Sequence, residues 1–131
     1  MAAPLLDSVT VALEKVLDLR SRQHELTVTN LANADTPGFE ARKVDFARSL
    51  RRMLGQAGEP VRTHRAHLGA SEGATPIVEL EVAPPWAGDG NSVDPQREMA
   101  VLTENQLLYT ASVEMLNRRV GLLRYAVSEG R

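Results

Sequence analysis

At 131 residues, with a formal net charge of −2 and no cysteine, the chain has the size of one ordinary domain. Its near-neutral charge gives no support to nucleic-acid or anionic membrane binding. The lack of cysteine excludes disulfides, thiolate metal sites and thiol catalysis. No run approaches the roughly 18 apolar residues of a membrane span, and the N-terminus lacks the regions of a secretory signal. We therefore expect neither direct membrane insertion nor a cleaved signal peptide.

A first long helix is predicted from residue 5 to about residue 34, where apolar residues recur at helical spacing. Leu6, Leu13 and Leu31 lie on this face, but the polar run 20–25 interrupts it. The stretch 33–38 then ends the helix, because Pro37 disfavours helical backbone at the residue before it and Gly38 permits positive φ.

Residues 39–46 are predicted to be extended or looped, and Asp45 is a candidate N-cap for a short second helix over 46–54. Between residues 42 and 52, five basic residues stand against the single acid Asp45: Arg42, Lys43, Arg48, Arg51 and Arg52. This basic patch either contacts an acidic partner surface or forms a solvated helix face, which is the commoner role of an isolated charge run.

The middle of the chain changes in composition. Six of the nine glycines and four of the seven prolines lie between residues 55 and 90, which excludes a long helix there. Residues 77–82 alternate well enough to form one strand, which the Pro84–Pro85 pair would end. This part is either a small β excursion or a loosely ordered loop.

The C-terminal third predicts a second long helix, over 94–127, with Asp94 as N-cap and Pro95 at the first helical position. A heptad-spaced stripe runs along it without a break: Met99, Leu102, Gln106, Tyr109, Val113, Leu116, Val120, Leu123 and Val127. A seam of this kind requires a partner helix. Periodicity leaves open whether that partner is the N-terminal helix of the same chain or a helix of another subunit. It also leaves open whether Gln106 sets the register or faces a neighbour's loop.

The predicted fold class is mainly α. We expect the N- and C-terminal helices to pair, parallel or antiparallel, as a coiled-coil-like stem in which the N-terminal helix docks on the seam. The chain forms one domain in three parts: 1–54 with the first helix, the turn and the second helix; 55–93 as the loop or small β region; and 94–131 as the heptad helix.

No residues with catalytic, cofactor-binding or metal-binding roles are predicted. His64 and His67 are a close pair, but no further ligands accompany them. The run from Asp89 to Asp94 resembles a calcium loop, yet it lacks the glycine at its sixth position and the glutamate at its twelfth. No nucleophile elbow or phosphate-binding loop is present. We expect no enzyme and no cofactor.

The stretch Leu31 to Arg42 resembles the signature of the flagellar rod and hook axial proteins, in which such a segment closes the first helix. The residues that carry this likeness are Ala32, Asn33, Thr36, Pro37, Gly38 and Phe39. Residues 90–94 are similar to that family's lead-in to its C-terminal helix. Further stretches at 43–47, 63–67, 97–100, 104–106 and 116–126 are similar to the proximal rod members of the family. Phe39 departs from the pattern, since the family often has tyrosine there.

The resemblance implies a structural component of the proximal rod in the bacterial flagellar basal body. Such a protein would assemble helically with other rod proteins, link the membrane ring to the hook and transmit torque. Its implied partners are further copies of itself, other rod proteins, a ring-side adaptor protein and, in transit, the flagellar type III export apparatus. The rod spans the periplasm, which the protein would reach without a cleaved signal.

Two other classes compete with this interpretation. A soluble dimeric helical adaptor could use the basic patch to bind an acidic partner, and it would form a stable dimer without rod proteins. A nucleic-acid binder would need the same patch to act against an acidic chain, and it would shift DNA at low salt.

Overall fold

The computed structural model of the chain describes residues 8–55, 76–81, 83 and 87–129. In chain order these form α1 (Ser8–Ala32), β1 (Arg42–Val44), α2 (Phe46–Gly55), β2 (Val78–Leu80) and α3 (Pro95–Glu129). The mainly α fold class is confirmed, with two long terminal helices that pack together and a small two-stranded sheet. The predictions for residues 56–75, including the histidine pair, lie outside the described residues.

The two long helices are antiparallel within one chain. Near the end of α1, Asn30 Nδ2 donates to Glu98 Oε2 in the first turn of α3, at 3.1 Å. Further back along α1, the carbonyl of Arg20 accepts a bond from Asn105 Nδ2 at 2.8 Å. Because contacts move forward along α3 as they move back along α1, the antiparallel alternative holds, and the stem forms inside the subunit.

The prediction that α1 docks on the seam of α3 is wrong by one residue. The side of α3 that faces α1 is the stripe one residue earlier, in which Glu98, Asn105 and Ser112 are buried and Val101 and Leu108 are half-buried. Three of these five residues are polar, so an apolar pattern could not reveal them. The heptad seam therefore lies beside the α1–α3 contact instead of inside it.

The apolar core is small and lies where α1, β1 and α2 meet. It consists of Leu19, Leu26, Val44 and Met53, with Phe46 and Leu50 packed against it. Among the described residues, eight polar or charged side chains are buried against five apolar ones. Hydrogen bonds must therefore hold much of the interior together, since buried polar groups are costly unless they are paired.

Both predicted N-caps are confirmed. Asp94 Oδ1 accepts bonds from the backbone N–H groups of Gln96 and Arg97 at the start of α3. Asp45 Oδ1 accepts one from Arg48 N at 3.0 Å, at the start of α2. The helices begin where these caps place them, and α2 ends one residue later than predicted.

The small sheet confirms a β excursion in the middle of the chain. Strand β2 covers three of the six residues predicted for it and pairs antiparallel with β1, with Arg42 opposite Leu80 and Val44 opposite Val78. The N–H of Ile77 donates to Ser49 Oγ at 2.8 Å, which joins the sheet to α2.

Among the described helices, none has the length and the apolar character that a membrane span needs.

Helix α1 ends at Ala32, and the turn that follows depends on Gly38, whose φ is +71°. An alanine Cβ at Gly38 would meet no atom within 4 Å, so only the backbone conformation opposes the substitution. We expect Gly38→Ala to lower the free energy of unfolding by about 1–2 kcal/mol, the cost of a left-handed residue with a side chain. Urea unfolding followed by circular dichroism measures this.

Gly88→Ala is the matched control, because Gly88 also has open space around it and lacks the positive φ. Equal urea midpoints for the two variants would show that the turn tolerates other backbone conformations.

Candidate assembly site

The turn after α1 is held by one side chain from a distant part of the chain. Asn91 Nδ2 lies 3.0, 2.8 and 2.9 Å from the carbonyl oxygens of Asn33, Ala34 and Thr36. The Oδ1 atom of the same amide accepts a bond from Val93 N at 2.7 Å. Asn91 thus supplies a donor to carbonyls past the end of α1, where the helix no longer provides one. The carbonyls of Asn33 and Thr36 also accept from the backbone N–H groups of Thr36 and Phe39.

Backbone contacts extend this junction on either side of Asn91. The N–H of Gly38 donates to the carbonyl of Asp89 at 2.8 Å, and the N–H of Ser92 donates to the carbonyl of Phe39 at 3.0 Å. Ser92 Oγ accepts a further bond from Ala41 N at 2.7 Å. The signature turn and the lead-in to α3, far apart in sequence, are therefore one structural unit.

A second buried amide, Asn30, joins three elements. Its Oδ1 accepts from Arg42 N at 2.9 Å and its Nδ2 donates to Arg42 O at 2.8 Å, so it pairs with β1 as a neighbouring strand would. The same Nδ2 donates to the buried carboxylate of Glu98 on α3. Sequence reasoning did not identify Asn30, Asn91 or Glu98, because single polar residues carry no periodic signal; their nearness to the signature and lead-in motifs was the available hint.

The signature residues act mainly through backbone conformation. Thr36, Pro37 and Gly38 are exposed, while Asn33 and Phe39 are half-buried. Asn33 Nδ2 bonds to Thr29 O at 2.8 Å, which caps the last turn of α1, and Ala32 ends that helix. Together they fix the direction in which the chain leaves α1 and so the position of β1 and α3.

The seam on α3 remains largely open to solvent in the subunit. Its exposed members are Met99, Gln106, Tyr109, Val120 and Val127, and its half-buried members are Leu102, Val113, Leu116 and Leu123. A stripe that repeats every 3.5 residues drifts by about 20° per heptad around a straight helix. The seam therefore turns toward α1 along the helix, from the exposed Met99 to the half-buried Leu116.

More apolar surface lies on α3 outside the seam. Leu107, Met115, Leu122 and Tyr125 are each at least 60 % exposed. Scattered exposed apolar residues are normal, but a helix with apolar residues on several sides is typical of one that is buried in a larger structure. The surface of α3 thus offers more than one contact area to neighbouring proteins.

The structure divides the predicted basic patch into two parts. Lys43 Nζ lies 3.1 Å from Glu81 Oε1, which also binds Arg97, so the β1 end of the patch is partly neutralised. The remaining members are exposed: Arg42 on β1, and Arg48, Arg51 and Arg52 on α2, whose opposite face packs on the core. A partner would meet chiefly the outer face of α2.

One cation has an unusual environment at the crossing of α1, α2 and α3. The guanidinium of Arg20 lies 4.1 Å from the centre of the Phe46 ring. Burial lowers the pKa of Arg20, and the nearby carboxylate of Glu104 acts in the opposite direction.

In the described part of the chain, no three His, Asp or Glu side chains converge as a metal site would require.

Comparisons with known proteins place these features in a family context. No protein-family model matches the chain. It is similar to the flagellar basal body rod protein FlgB of Aeromonas hydrophila, with 36 % identity over 111 residues that cover 82 % of this chain and 84 % of the relative. It is similar to FlgB of Escherichia coli, with 32 % identity over 127 residues and shares of 88 % and 92 %. FlgB of Yersinia enterocolitica is 32 % identical over 137 residues, with shares of 96 % and 100 %.

Proposed function

Because the chain belongs to the FlgB family of flagellar basal body rod proteins, we propose that its copies and other rod proteins pack helices of neighbouring subunits against the exposed seam of α3. The protein is a structural component of the flagellar basal body rod, which transmits torque. It is located in the flagellar basal body and assembles with other rod components. Its relatives are named for a part of the flagellum, and we propose that the chain catalyses no reaction.

The exposed seam is the observation that carries the packing proposal. Its nine positions keep unbroken heptad spacing, yet α1 packs on the adjacent stripe and leaves Met99 62 % and Val127 65 % exposed. An apolar seam at this spacing is the surface that a further helix covers by knobs-into-holes packing. The seam and the stripe that faces α1 are different surfaces of α3. The α1–α3 pair within one subunit can therefore stay packed while the seam contacts a helix of a neighbouring subunit.

The finer assignments follow from the proximal rod position that we propose. Neighbouring copies would meet through unlike surfaces, which extends an assembly along an axis instead of closing it. The exposed arginines of α2 are suited to an acidic surface, and we assign them to the ring-side adaptor protein or another rod protein. We further propose that the chain reaches the periplasm through the flagellar type III export apparatus, without a cleaved signal.

Leu116→Asp tests the seam. We expect this variant to abolish motility in a strain that lacks its own copy of the gene, because a charge buried without a partner in a helix interface costs about 3–5 kcal/mol. The readouts are swimming in soft agar and the number of hook–basal bodies recovered per cell. Asn117→Asp adds the same charge on an adjacent exposed position outside the seam and should support motility.

Leu116 is half-buried in the subunit, so a second variant separates assembly from folding. Val120 is an exposed seam residue, and Val120→Asp should keep the helical circular dichroism of the purified chain while it prevents rod assembly. Motile cells with both seam variants would show that subunits do not pack there. A purified chain that forms a stable dimer at micromolar concentration would favour the dimeric adaptor instead.

A further inference from the structure

A cavity of about 230 Å³ opens between α1 and α3 beside the seam. Arg20, Ser21 and His24 line it from α1, and Asn105, Gln106 and Tyr109 line it from α3. Gln106 and Tyr109 are also seam residues, so a helix that packs on the seam passes directly over this opening. One water occupies roughly 30 Å³ in the liquid, so the cavity has room for a side chain or for several waters.

The lining of the cavity has one sign of charge. It contains a guanidinium, an imidazole, two hydroxyls and two carboxamides, and no carboxylate. Arg20 takes part in none of the ion pairs among the described residues, and its Nε–H is buried without an acceptor. The carboxylate of Glu81 is already bound by Lys43 and Arg97 and forms no ion pair with Arg20. Glu104 lies near enough to act on the pKa of Arg20 but forms no ion pair with it. The subunit therefore leaves a half-buried cation without a directly bound carboxylate, next to a surface that awaits a neighbour.

We propose that the cavity receives an aspartate or glutamate side chain of an adjacent rod subunit, which pairs with Arg20 and fixes the register of packing along the seam. This inference rests on the proposed packing of a neighbouring helix on the seam. A lysine or arginine would be repelled by Arg20, and an apolar side chain would remove water from six polar groups without replacing their hydrogen bonds. A carboxylate is the partner that a guanidinium binds best.

The position of the cavity also gives Gln106 a role. Gln106 is the one polar residue among the nine seam positions, and a polar position in a heptad seam sets register when it meets a polar partner. The arriving carboxylate would lie at this position, and Gln106 Nε2 would donate to it from the α3 side. A shift of the neighbour by one heptad would leave its carboxylate against apolar residues, which gives the register its specificity.

Gln106→Glu tests the charge of the occupant. Gln106 is exposed and the change is isosteric, so the subunit should keep its fold. The new carboxylate would neutralise Arg20 within the subunit and repel the arriving one, and we expect at least about tenfold fewer hook–basal bodies per cell, since like charges brought together at an interface cost several kcal/mol. Gln106→Met, which has similar length and no charge, should assemble within about threefold of the unchanged protein.

A second pair of variants relocates the positive charge. Arg20→Met should reduce assembly, and the double variant Arg20→Met with Gln106→Lys should restore it, because the cation returns on the opposite wall. A purely structural role of Arg20, through its stacking on Phe46, would not be rescued by a lysine on α3.

Three results would overturn the proposal: normal assembly of Gln106→Glu, equal losses in the glutamate and methionine variants, or no rescue by the relocated lysine. The first would mean that the cavity holds water only. The proposed function itself is judged separately by Leu116→Asp and Val120→Asp, whose effects do not depend on the cavity.

Discussion

Replacing Asn30 with aspartate is expected to lower the free energy of unfolding by about 3–5 kcal/mol, the scale for leaving a buried charge without its partner. Asn30 is 1 % exposed, and its Nδ2 is the donor for Glu98 Oε2 and for the carbonyl of Arg42. Aspartate keeps the shape and the acceptor for Arg42 N but removes both donations and places two carboxylates together. Urea unfolding of the purified protein, followed by far-UV circular dichroism, measures the change.

The double variant Asn30→Asp with Glu98→Gln is the control that isolates the pair. It exchanges the amide and the carboxylate, so one hydrogen bond between α1 and α3 can form again without a second buried charge. We expect it to recover about half of the lost stability, because the carbonyl of Arg42 still lacks its donor, worth roughly 1–3 kcal/mol when buried. No recovery in the double variant would show that the Asn30–Glu98 contact does not carry the effect.

Asn91→Ala is the second change with a large expected effect. It removes the acceptor of Val93 N and a donor shared by three carbonyls in the turn after α1, of which those of Asn33 and Thr36 keep a backbone donor. Water can replace some of these bonds because Thr36 is exposed, so we expect a loss of about 2–4 kcal/mol in the free energy of unfolding. The urea midpoint and the protection of the backbone amides of residues 36 and 38–41 from hydrogen exchange are the measurements.

Two comparisons sharpen this prediction. Asn33→Ala removes the bond to Thr29 O and a long, exposed one from Thr36 Oγ1, and it should cost no more than about 1 kcal/mol. Asn91→Asp keeps the acceptor for Val93 N but turns an oxygen toward the three carbonyls, so it should be at least as destabilising as the alanine variant. If Asn33→Ala and Asn91→Ala had equal effects, Asn91 would not be the residue that holds the turn.

The stability of the subunit thus depends on a few amides as well as on its core. Folded domains are stable by about 5–15 kcal/mol in total, so the loss of Asn30 or Asn91 alone would remove a large part of it. Their positions explain the arrangement of the motifs: Asn30 ties α1 to the start of α3, and Asn91 ties the signature turn to the lead-in. Together these junctions orient α3 and with it the seam that we propose for assembly.

The local features of the fold were predictable because each has a chemical signal in adjacent residues. Asp45 and Asp94 precede helices as N-caps, Gly38 supplies a positive φ, and the C-terminal helix shows its length in unbroken heptad spacing. The likeness to flagellar axial proteins also lay in contiguous stretches, and relatives that share most of the chain's length confirm it.

The pairing of the long helices could be predicted, but not the face that they share. An apolar stripe predicts a helix interface, but it does not indicate whether the partner helix belongs to the same chain. The stripe that α1 covers is marked by Glu98, Asn105 and Ser112, whose hydrogen bonds exist only after both helices are in place. The division of the basic patch could not be predicted either, because Glu81 reaches Lys43 only through the pairing of β1 with β2.

By itself, the sequence determined the two long helices, the N-caps of α2 and α3, the turn that ends the first helix, and the family. These depend on residues within a few positions of one another, whose preferences act before any tertiary contact forms. The tertiary structure alone decided the antiparallel direction, the polar stripe under α1, and the amides Asn30 and Asn91 that join distant segments. It also decided that the seam stays open, because only the docked position of α1 shows which apolar surface it leaves uncovered.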